Sequence, residues 1–543
     1  MTGVGFFAGL GLPSSRLAIA THPAMLNDVQ AFLARITDPH ASESQGKPDL
    51  DALLATAQRN GVIGVQMALN NFLSLTRSHV IPTRRFFKSV VPKRAQVAVA
   101  YMVVGPQDLM ATGLPPDTVG AVGTMEWAPD LQSLKPLPYH PKNLWVAADL
   151  HTPTGEPWNL CPRSFLKRQL RNFKAKTGLD VVVGPEIEFH AFEKYGEDGV
   201  PDKCGFTVER NTLDTLAEFF YLLRLVMPTH SPTCSVVVTV HSSNPAWSTH
   251  QCAEILGLLG KAGDLMDTMV ETLDQAGIEV NTWHCEGGNI QWEFSLGPRD
   301  ALTTADDIVY TRTAVKAVAR QFGLTATMAP KPLGATEIGN GGHLHFSLRN
   351  AAGENVFIDE SDPAGISKIG RHFMAGILKH LVGISLVLLP TEMSYERAVP
   401  HFWAGVFTAW GRENKEAALR VCCPNSNANN VELKIADSTA NPYLAIGTII
   451  AAGLDGIENQ LELGPEATED PGLLPADFKK EHGIRQMPTT LEAALKEFAN
   501  EPLIKEAWGE EMADKYSRTI KFVADYVSKM PKADRYKLYC EKY

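Results

Sequence analysis

A strongly patterned extended segment lies between residues 179 and 193. It reads LDVVVGPEIEFHAFE, with β-branched and aromatic residues on alternate positions, which predicts a β-strand. Because successive side chains of a strand point to opposite faces, Glu186 and Glu188 share one face. Two carboxylates on one face repel each other, so either that face is open to water or a cation lies between them. For an isolated E-x-E pair the solvated strand edge is the commoner arrangement, and the pair alone does not decide.

Length and charge exclude several classes of protein. At 543 residues the chain exceeds the size at which one hydrophobic core stops growing, ~250–300 residues, so at least two domains are expected. Its 61 acidic and 50 basic residues give a net charge of −11 without a basic cluster, which argues against a nucleic-acid partner. The N-terminus lacks the pattern of a secretory signal, and no apolar stretch is long enough to span a bilayer. We therefore expect a soluble cytoplasmic protein with no membrane contact.

Two regions differ in their pattern. Residues 1–157 predict a small sheet-rich domain with a helical N-terminal extension, because 24–60 carry helical spacing and later segments read as strands divided by turns. A basic amphipathic helix is expected over 161–178, and from there strands and helices alternate. Residues 158–543 therefore form a larger second domain, and the fold class is α+β. None of the eight cysteines forms a C-x-x-C pair, so zinc is not indicated.

Acidic and histidine residues recur in three further segments. WHCEGGNIQWEF carries Glu286 and Glu293, seven residues apart across a Gly-Gly turn, and IGNGGHLHFSL carries His343 and His345 on alternate positions of a predicted strand. NNVELKI has Glu432 inside an apolar strand pattern, where a carboxylate is unfavourable unless it is paired or bound to metal. Each segment alone is compatible with ordinary structure, such as a core histidine beside a surface one.

In chain order, these motifs resemble glutamine synthetase. The shared pattern is E-x-E, then H-x-E with a second glutamate seven residues later, then PKP before a glycine-rich H-x-H, then E-x-[RK] ahead of ANPYL. The stretches PDLQSLKPLPYHP, CPRSFLKR, GLTATMAPKP and PTTLEAAL also match, so the resemblance runs from about residue 60 onward. It implies a glutamine synthetase fold, with a β-grasp N-terminal domain and a larger α+β catalytic domain. It also implies a hexameric or dodecameric ring with active sites between subunits.

The resemblance implies an ATP-dependent ligase with two divalent ions, Mg²⁺ or Mn²⁺, in each active site. Oxygen-rich ligation with one imidazole suits such cations. The implied ligands of one ion are Glu188, Glu286 and Glu293, and those of the other are Glu186, His343 and Glu432.

The substrates are expected to be glutamate, ATP and a small amine, joined through a γ-glutamyl phosphate. By resemblance, Arg420 contacts the nucleotide phosphates, Lys415 stabilises the transferred phosphoryl group, and His345 and Ser347 lie near ATP. The residues implied in glutamate binding are Arg397, Gly339 and Lys434.

Several of these positions depart from the family pattern. Lys415 and Lys434 stand where arginine is usual, and Asn430 replaces an arginine outright. Lysine keeps the charge but loses the planar grip of arginine on a carboxylate or phosphate. Glutamate remains the expected acid because Arg397 and Gly339 match the family.

The larger departures fall where ammonia would bind. Asn71 replaces an aspartate that reaches in from the neighbouring subunit, and Trp403 replaces a glutamate on a mobile flap. Without either carboxylate a desolvated ammonium ion loses its partners. Since Trp403 offers an apolar wall, we expect a larger organic amine, and an arylamine suits best because it arrives uncharged.

Four alternatives remain open at this stage. Glu396 or Glu413 could replace the flap glutamate through a local realignment, leaving a conventional glutamine synthetase that uses ammonia. A polyamine substrate would require acidic residues that the sequence does not locate. A noncatalytic structural oligomer is the third alternative, although a complete set of metal ligands has little structural use. The segment 206–250, longer than is usual in the family, could reshape the amine entrance or merely extend a surface loop.

Overall fold

The computed structural model describes residues 49–110, 119–120, 122–196, 199–201, 261–288, 290–334, 337–423 and 426–543. The expected helical extension lies mostly outside these ranges, although its end is present as the helix Leu50–Arg59. The long segment 206–250 lies outside them entirely. No helix of the described residues is both long enough and apolar enough to cross a membrane.

The strands form two sheets. Their bounds are β1 Gly64–Asn70, β2 Thr76–Pro82, β3 Ala95–Ala98, β4 Thr124–Pro129, β5 Lys135–Pro136, β6 Asn143–His151, β7 Asp180–Phe192, β8 Val280–Cys285, β9 Gln291–Leu296, β10 Arg299–Asp300, β11 Thr325–Thr327, β12 Leu344–Arg349, β13 Trp410–Arg412, β14 Leu419–Cys422 and β15 Asn430–Leu433. The first sheet has the order β2-β1-β6-β4-β3, with β5 on β6. The second has the order β13-β14-β15-β12-β7-β9-β8, with β10 and β11 also paired to β7.

The helices surround the two sheets. Those of six residues or more are α1 Leu50–Arg59, α2 Pro162–Thr177, α3 Lys261–Gln275, α4 Ala301–Gln321, α5 Lys368–His380, α6 Glu392–Arg397, α7 Pro442–Glu458, α8 Ala476–Glu481, α9 Leu491–Asn500, α10 Pro502–Trp508, α11 Glu510–Val527 and α12 Lys532–Lys542. Shorter helical segments occupy 83–93, 99–103, 131–133 and 385–388. The predicted helix over 161–178 is confirmed as α2. Helix α9 begins at the cap residue Thr490, whose side chain accepts the N–H of Ala493.

One helix forms the centre of the larger core. In α7 nearly every residue is buried, and it packs on α5 and α2. Asn441 begins this helix by accepting the N–H groups of Tyr443 and Leu444. A Cβ on Gly376 of α5 would lie 2.2 Å from the carbonyl oxygen of Ala452, so a glycine there lets the two helices approach closely.

Among the later segments that read as strands, QVAVAYMVV at residues 96–104 is a strand only in its first part. Only Ala95–Ala98 is a strand, and a 3-10 turn follows at Val99–Val103. The carbonyl groups of Tyr101 and Val104 turn inward, because both accept hydrogen bonds from the amide of Asn71, at 3.1 and 3.0 Å. A long-range contact therefore overrides the local preference for an extended chain.

The acidic strand lies at the middle of the second sheet. β7 pairs with β12 through Asp180–Pro185 and with β9 through Glu186–His190, so it changes neighbours at Glu186. The backbone N–H of Glu186 donates to the carbonyl of His343, at 3.0 Å. The first acidic motif and the predicted histidine strand therefore meet at this point.

Candidate active site

All six expected metal ligands line one cavity of about 220 Å³. The register of the sheet brings them together, because Glu188 lies opposite Glu293 across β7 and β9, and His345 lies opposite Glu432 across β12 and β15. The six residues are Glu186, Glu188, Glu286, Glu293, His343 and Glu432.

Two histidines converge on the carboxylate of Glu186. His343 Nδ1 lies 2.8 Å from Glu186 Oε2, and His345 Nε2 lies 3.0 Å from Glu186 Oε1. His343 Nδ1 is also 3.3 Å from Glu432 Oε1. The prediction that His343 and His345 face the same way is confirmed. His345 contacts the acidic cluster, and its expected position near ATP stays a prediction.

Ligand atoms of the cluster come within 4.8 Å of one another in three combinations. These are Glu186 with Glu293 and His343, Glu186 with His345 and Glu432, and His284 with Glu286 and Glu293. Oxygen atoms with imidazole nitrogens fit a Mg²⁺ or Mn²⁺ site. The expected division of the ligands between two ions stays a prediction.

The electrostatics of the cluster also fit a bound cation. Burial, followed by four neighbouring glutamates, raises the pKa of Glu293 well above its ordinary value. Burial also raises the pKa of Glu432, but the charges of Lys434 and then the two histidines outweigh it and lower that pKa to about 2. Carboxylates that resist ionisation because of their neighbours are stabilised when a divalent ion joins them.

His284 belongs to the site but was missed in the sequence. Its Nε2 lies 2.9 Å from Glu286 Oε1 and 4.0 Å from Glu293 Oε1, and it lines the cavity. The hydrogen bond to Glu286 raises the pKa of His284. The signal was present in the sequence, because His284 lies two residues before Glu286, a spacing that places two side chains on one face of an extended chain.

Two basic residues expected to contact substrate are paired with Glu432, one from the phosphate set and one from the glutamate set. Arg420 Nε lies 2.6 Å from Glu432 Oε2, and Lys434 Nζ lies 3.0 Å from Glu432 Oε1. Lys415 lines the same cavity, whereas Ser347 is buried farther along β12 and is not among the lining residues.

The three residues expected to bind glutamate all line the cavity. Arg397 is buried and donates to the carbonyl groups of Ile435 and Lys434, at 3.0 and 3.2 Å. A Cβ on Gly339 would lie 2.1 Å from the carbonyl oxygen of Pro330, so no larger residue fits there.

Lys331 is a second residue that sequence reasoning missed. It lines the cavity, its side chain is 1% exposed, and Nζ has no hydrogen-bond partner among the described residues. Nζ lies 4.7 Å from the ring centroid of Phe402. Burial, then the charge of Arg397, lowers the pKa of Lys331 to about 8. This lysine lies in the PKP motif, but the sequence pattern alone did not indicate a role for it.

The side chain of Asn71 points into its own chain, and its expected place in an amine pocket between subunits stays a prediction. Its side chain is fully buried in its own chain. The amide donates to Tyr101 and Val104, and its oxygen accepts the N–H groups of Leu73 and Leu75, at 3.1 and 3.0 Å. The polar atoms of this side chain therefore shape one loop of the same chain.

Trp403 does lie at the cavity. Its side chain is 43% exposed, and Lys415 Nζ is 5.9 Å from its ring centroid. His401 and Trp403 both adopt left-handed backbone angles, with φ of 66° and 55°. Each is tied to an acidic residue, since His401 Nδ1 lies 2.5 Å from Asp470 and the N–H of Trp403 donates to Glu416 at 3.0 Å. These bonds hold residues 401–403 in an unfavourable conformation.

The two carboxylates considered as replacements for the flap glutamate lie elsewhere. Glu396 accepts a hydrogen bond from the hydroxyl of Tyr536, and Glu413 accepts the N–H of Cys423 at 2.9 Å. Neither is among the residues that line the cavity. Glu416, which the sequence did not single out, is the acid nearest Trp403, and burial raises its pKa.

Comparisons with known proteins agree with this geometry. The family described as glutamine synthetase, catalytic domain, matches residues 159–539. Gamma-glutamylpolyamine synthetase GlnA3 of Streptomyces coelicolor is 29% identical over 476 residues, 85% of this chain and 90% of that protein. Glutamine synthetase of Pyrococcus furiosus is 34% identical over 358 residues, 66% of this chain and 70% of that protein.

Solved structures give the same result. A GmaS complex with ADP superposes with a TM-score of 0.69 at 25% identity, covering 88% of this chain and 97% of that one. A glutamine synthase homologue gives 0.68 at 25% identity, covering 89% and 99%. The fold and site therefore define an ATP-dependent ligase that forms carbon–nitrogen bonds. The chain belongs to the glutamine synthetase family.

Proposed function

We propose that this protein joins the γ-carboxyl group of glutamate to an organic amine, using ATP. The observation that carries the proposal is the character of the flap side of the cavity. Among the described residues, the only carboxylates that line the cavity are the five glutamates of the metal cluster. The flap contributes Phe402 and Trp403 instead.

The reaction has two steps. An oxygen of the γ-carboxylate attacks the γ-phosphorus of ATP and ADP leaves, which gives γ-glutamyl phosphate. The amine nitrogen then attacks the carbonyl carbon, phosphate leaves with the bonding electrons, and the nitrogen loses a proton. Arg420 and Lys415 would stabilise negative charge on the phosphoryl oxygens. Divalent ions held by the glutamate and histidine cluster would add positive charge at the same oxygens.

The charges near the flap favour an amine that arrives neutral. Lys331 and Lys415 place their ammonium groups over the rings of Phe402 and Trp403. An ammonium ion or a polyamine would bring further positive charge to a region that already holds two cations. An arylamine is uncharged at neutral pH, and its ring can pack on the exposed face of Trp403.

In this proposal Lys331 is an additional residue of the glutamate-binding site. A buried ammonium group without a partner is unfavourable, and a carboxylate of the substrate would satisfy it. The position is suitable, because Lys331 Cδ lies 3.1 Å from the point where a Cβ on Gly339 would be.

A panel of amines tests the proposed function. Purified protein is incubated with ATP, Mg²⁺ and glutamate, and phosphate release is compared for ammonium, methylamine, putrescine and aniline. The proposal expects the highest kcat/KM with aniline, and Glu188→Ala should abolish release with every amine. The highest kcat/KM with ammonium would show a conventional glutamine synthetase instead. No release with any amine would support a noncatalytic role.

Assembly into a ring of six or twelve subunits is part of the proposal, since relatives of this family place active sites between subunits. Mass photometry of the purified protein should therefore show six or twelve copies. A stable monomer that releases phosphate would contradict the shared active site.

A further inference from the structure

A second cavity, of about 350 Å³, lies between the first sheet and helix α4. It shares no lining residue with the active-site cavity. Five basic side chains line it, from β2, from α4 and from the C-terminal helix α12, and a single acidic side chain accompanies them. These residues are Arg77, Arg312, Lys316, Arg320, Lys542 and the acidic Glu541.

The positive charges of this cavity exceed their partners. Asp108 pairs with both Arg77 and Lys542, at 3.0 and 2.5 Å, so one carboxylate serves two cations. Arg312, Lys316 and Arg320 form no ion pair within the described part of the chain. The cavity therefore gathers cations that the protein itself does not neutralise.

Helix α4 places three of these cations on one face. Arg312, Lys316 and Arg320 stand at positions i, i+4 and i+8, so their side chains are neighbours on the helix surface. Like charges at this spacing destabilise a helix. A bound anion would offset this repulsion, because each of the three cations would be attracted to it.

Neutral oxygens orient the two inner cations. Arg312 Nη1 donates to Ser74 Oγ and to the carbonyl oxygen of Ala440, at 3.0 and 3.2 Å, while Nε of Arg312 is buried without a partner. Lys316 Nζ donates to the carbonyl oxygen of Lys542 at 2.8 Å. Burial, followed by the charges of Arg320 and then others nearby, lowers the pKa of Lys316 to about 7. Arg312 and Lys316 are half-buried, and a cation that is partly removed from water is stabilised by an anionic partner.

The remaining lining suits oxygen atoms of a ligand. Thr76, Ser78 and Thr313, which carry hydroxyl groups, line the same cavity as the cations. Guanidinium and ammonium groups bind phosphate and carboxylate oxygens through charge-assisted hydrogen bonds, and hydroxyl groups add further donors.

We propose that this cavity binds a small multivalent oxyanion, either a phosphate or a polycarboxylate. The anion would join the first sheet to α4 and α12, because its oxygens would contact cations from all three. This cavity shares no lining residue with the active-site cavity of the same chain.

Isothermal titration calorimetry on the full-length protein tests the proposal, with inorganic phosphate and citrate as separate probes. Lys316→Met combined with Arg320→Gln should weaken binding of the preferred anion by about tenfold or more, since two charge-assisted contacts are lost. Lys521→Met is the matched control, because Lys521 is an exposed helix lysine paired only with Asp525. The control should bind the anion as the wild type does.

Arg420→Gln separates this site from phosphate binding in the active site. The proposal expects that variant to retain the binding that the double variant loses. Phosphate binding that disappears in Arg420→Gln but persists in the double variant would overturn it. Absence of binding for both probes would also overturn it, and so would a change of assembly mass in the double variant, which would show that a second copy fills the cavity.

Thermal unfolding checks that the double variant folds. Because two repelling cations are removed, its unfolding temperature without anion should equal or exceed that of the wild type. Citrate or phosphate should raise the unfolding temperature of the wild type and of Lys521→Met more than that of the double variant. An equal rise in all three proteins would contradict the assignment.

Discussion

Replacing Lys331 with methionine is expected to weaken glutamate binding without destabilising the free protein. Lys331 is buried, and its ammonium group has no hydrogen-bond partner among the described residues. The substitution therefore breaks no ion pair in the free protein, and methionine keeps a similar length of apolar side chain. The free energy of unfolding should stay unchanged or increase, because a buried unpaired charge is removed.

The magnitude follows from the contact that the substrate would make. A hydrogen bond to a charged group contributes roughly 1.5–3 kcal/mol, and 1.4 kcal/mol corresponds to a factor of ten, so KM for glutamate should rise roughly ten- to a hundredfold. KM for ATP should change little, because Lys331 lies beside Gly339 and Arg397 rather than beside Arg420.

The pH dependence gives an independent check. Burial lowers the pKa of Lys331 to about 8, so above that pH the folded protein has lost a proton that the unfolded chain keeps up to the ordinary lysine pKa, ~10.4. Stability rises with pH wherever the unfolded state binds more protons. The free energy of unfolding from this group should therefore increase between pH 8 and 10 in the wild type, while the affinity for glutamate falls. Lys331→Met should lack both trends.

Initial rates at saturating ATP and amine, with glutamate varied from pH 7 to 9.5, measure these effects. Lys331→Arg keeps the charge and should retain most of the affinity, and Phe402→Ala tests whether the ring contact alone positions the lysine. An unchanged KM for glutamate in Lys331→Met would refute the carboxylate-binding role. A wild type that turns over no glutamate would instead refute the proposed function, so the two failures are distinct.

Three other changes test the site. Trp403→Ala should raise KM for aniline about three- to tenfold and leave KM for ammonium unchanged, because only an aromatic amine packs on the ring; equal effects on both amines in the rate assay would contradict this. Glu293→Gln removes a carboxylate whose pKa is raised by burial and then by other glutamates, so in EDTA its unfolding temperature should equal or exceed that of the wild type. Mn²⁺ should raise the unfolding temperature of the wild type more, and an equal rise would argue against Glu293 as a ligand. Glu416→Gln keeps an acceptor for the N–H of Trp403 and should leave KM for amine unchanged, whereas Glu416→Ala should raise it; a loss of kcat in Glu416→Gln would show that the negative charge itself is required.

The sequence alone determined the residues whose relation is local. Strand alternation placed Glu186 with Glu188 and His343 with His345. In the structure both glutamates line one cavity, and both histidines contact Glu186. The resemblance of the motifs in chain order then predicted the family, which the comparisons show. Local geometry suffices for such pairs, because the direction of a side chain follows from the period of its strand.

Tertiary structure alone decided which side chains have partners. The sequence could not show that the Asn71 amide donates hydrogen bonds to the carbonyl groups of Tyr101 and Val104. It also could not show that Lys331 Nζ has no hydrogen-bond partner among the described residues. Nor could it show that the cations of α4 face those of β2 and α12 across one cavity. The physical reason is that desolvation and pairing depend on segments far apart in the chain, and these two terms decide whether a polar group stabilises the fold or remains available for a ligand.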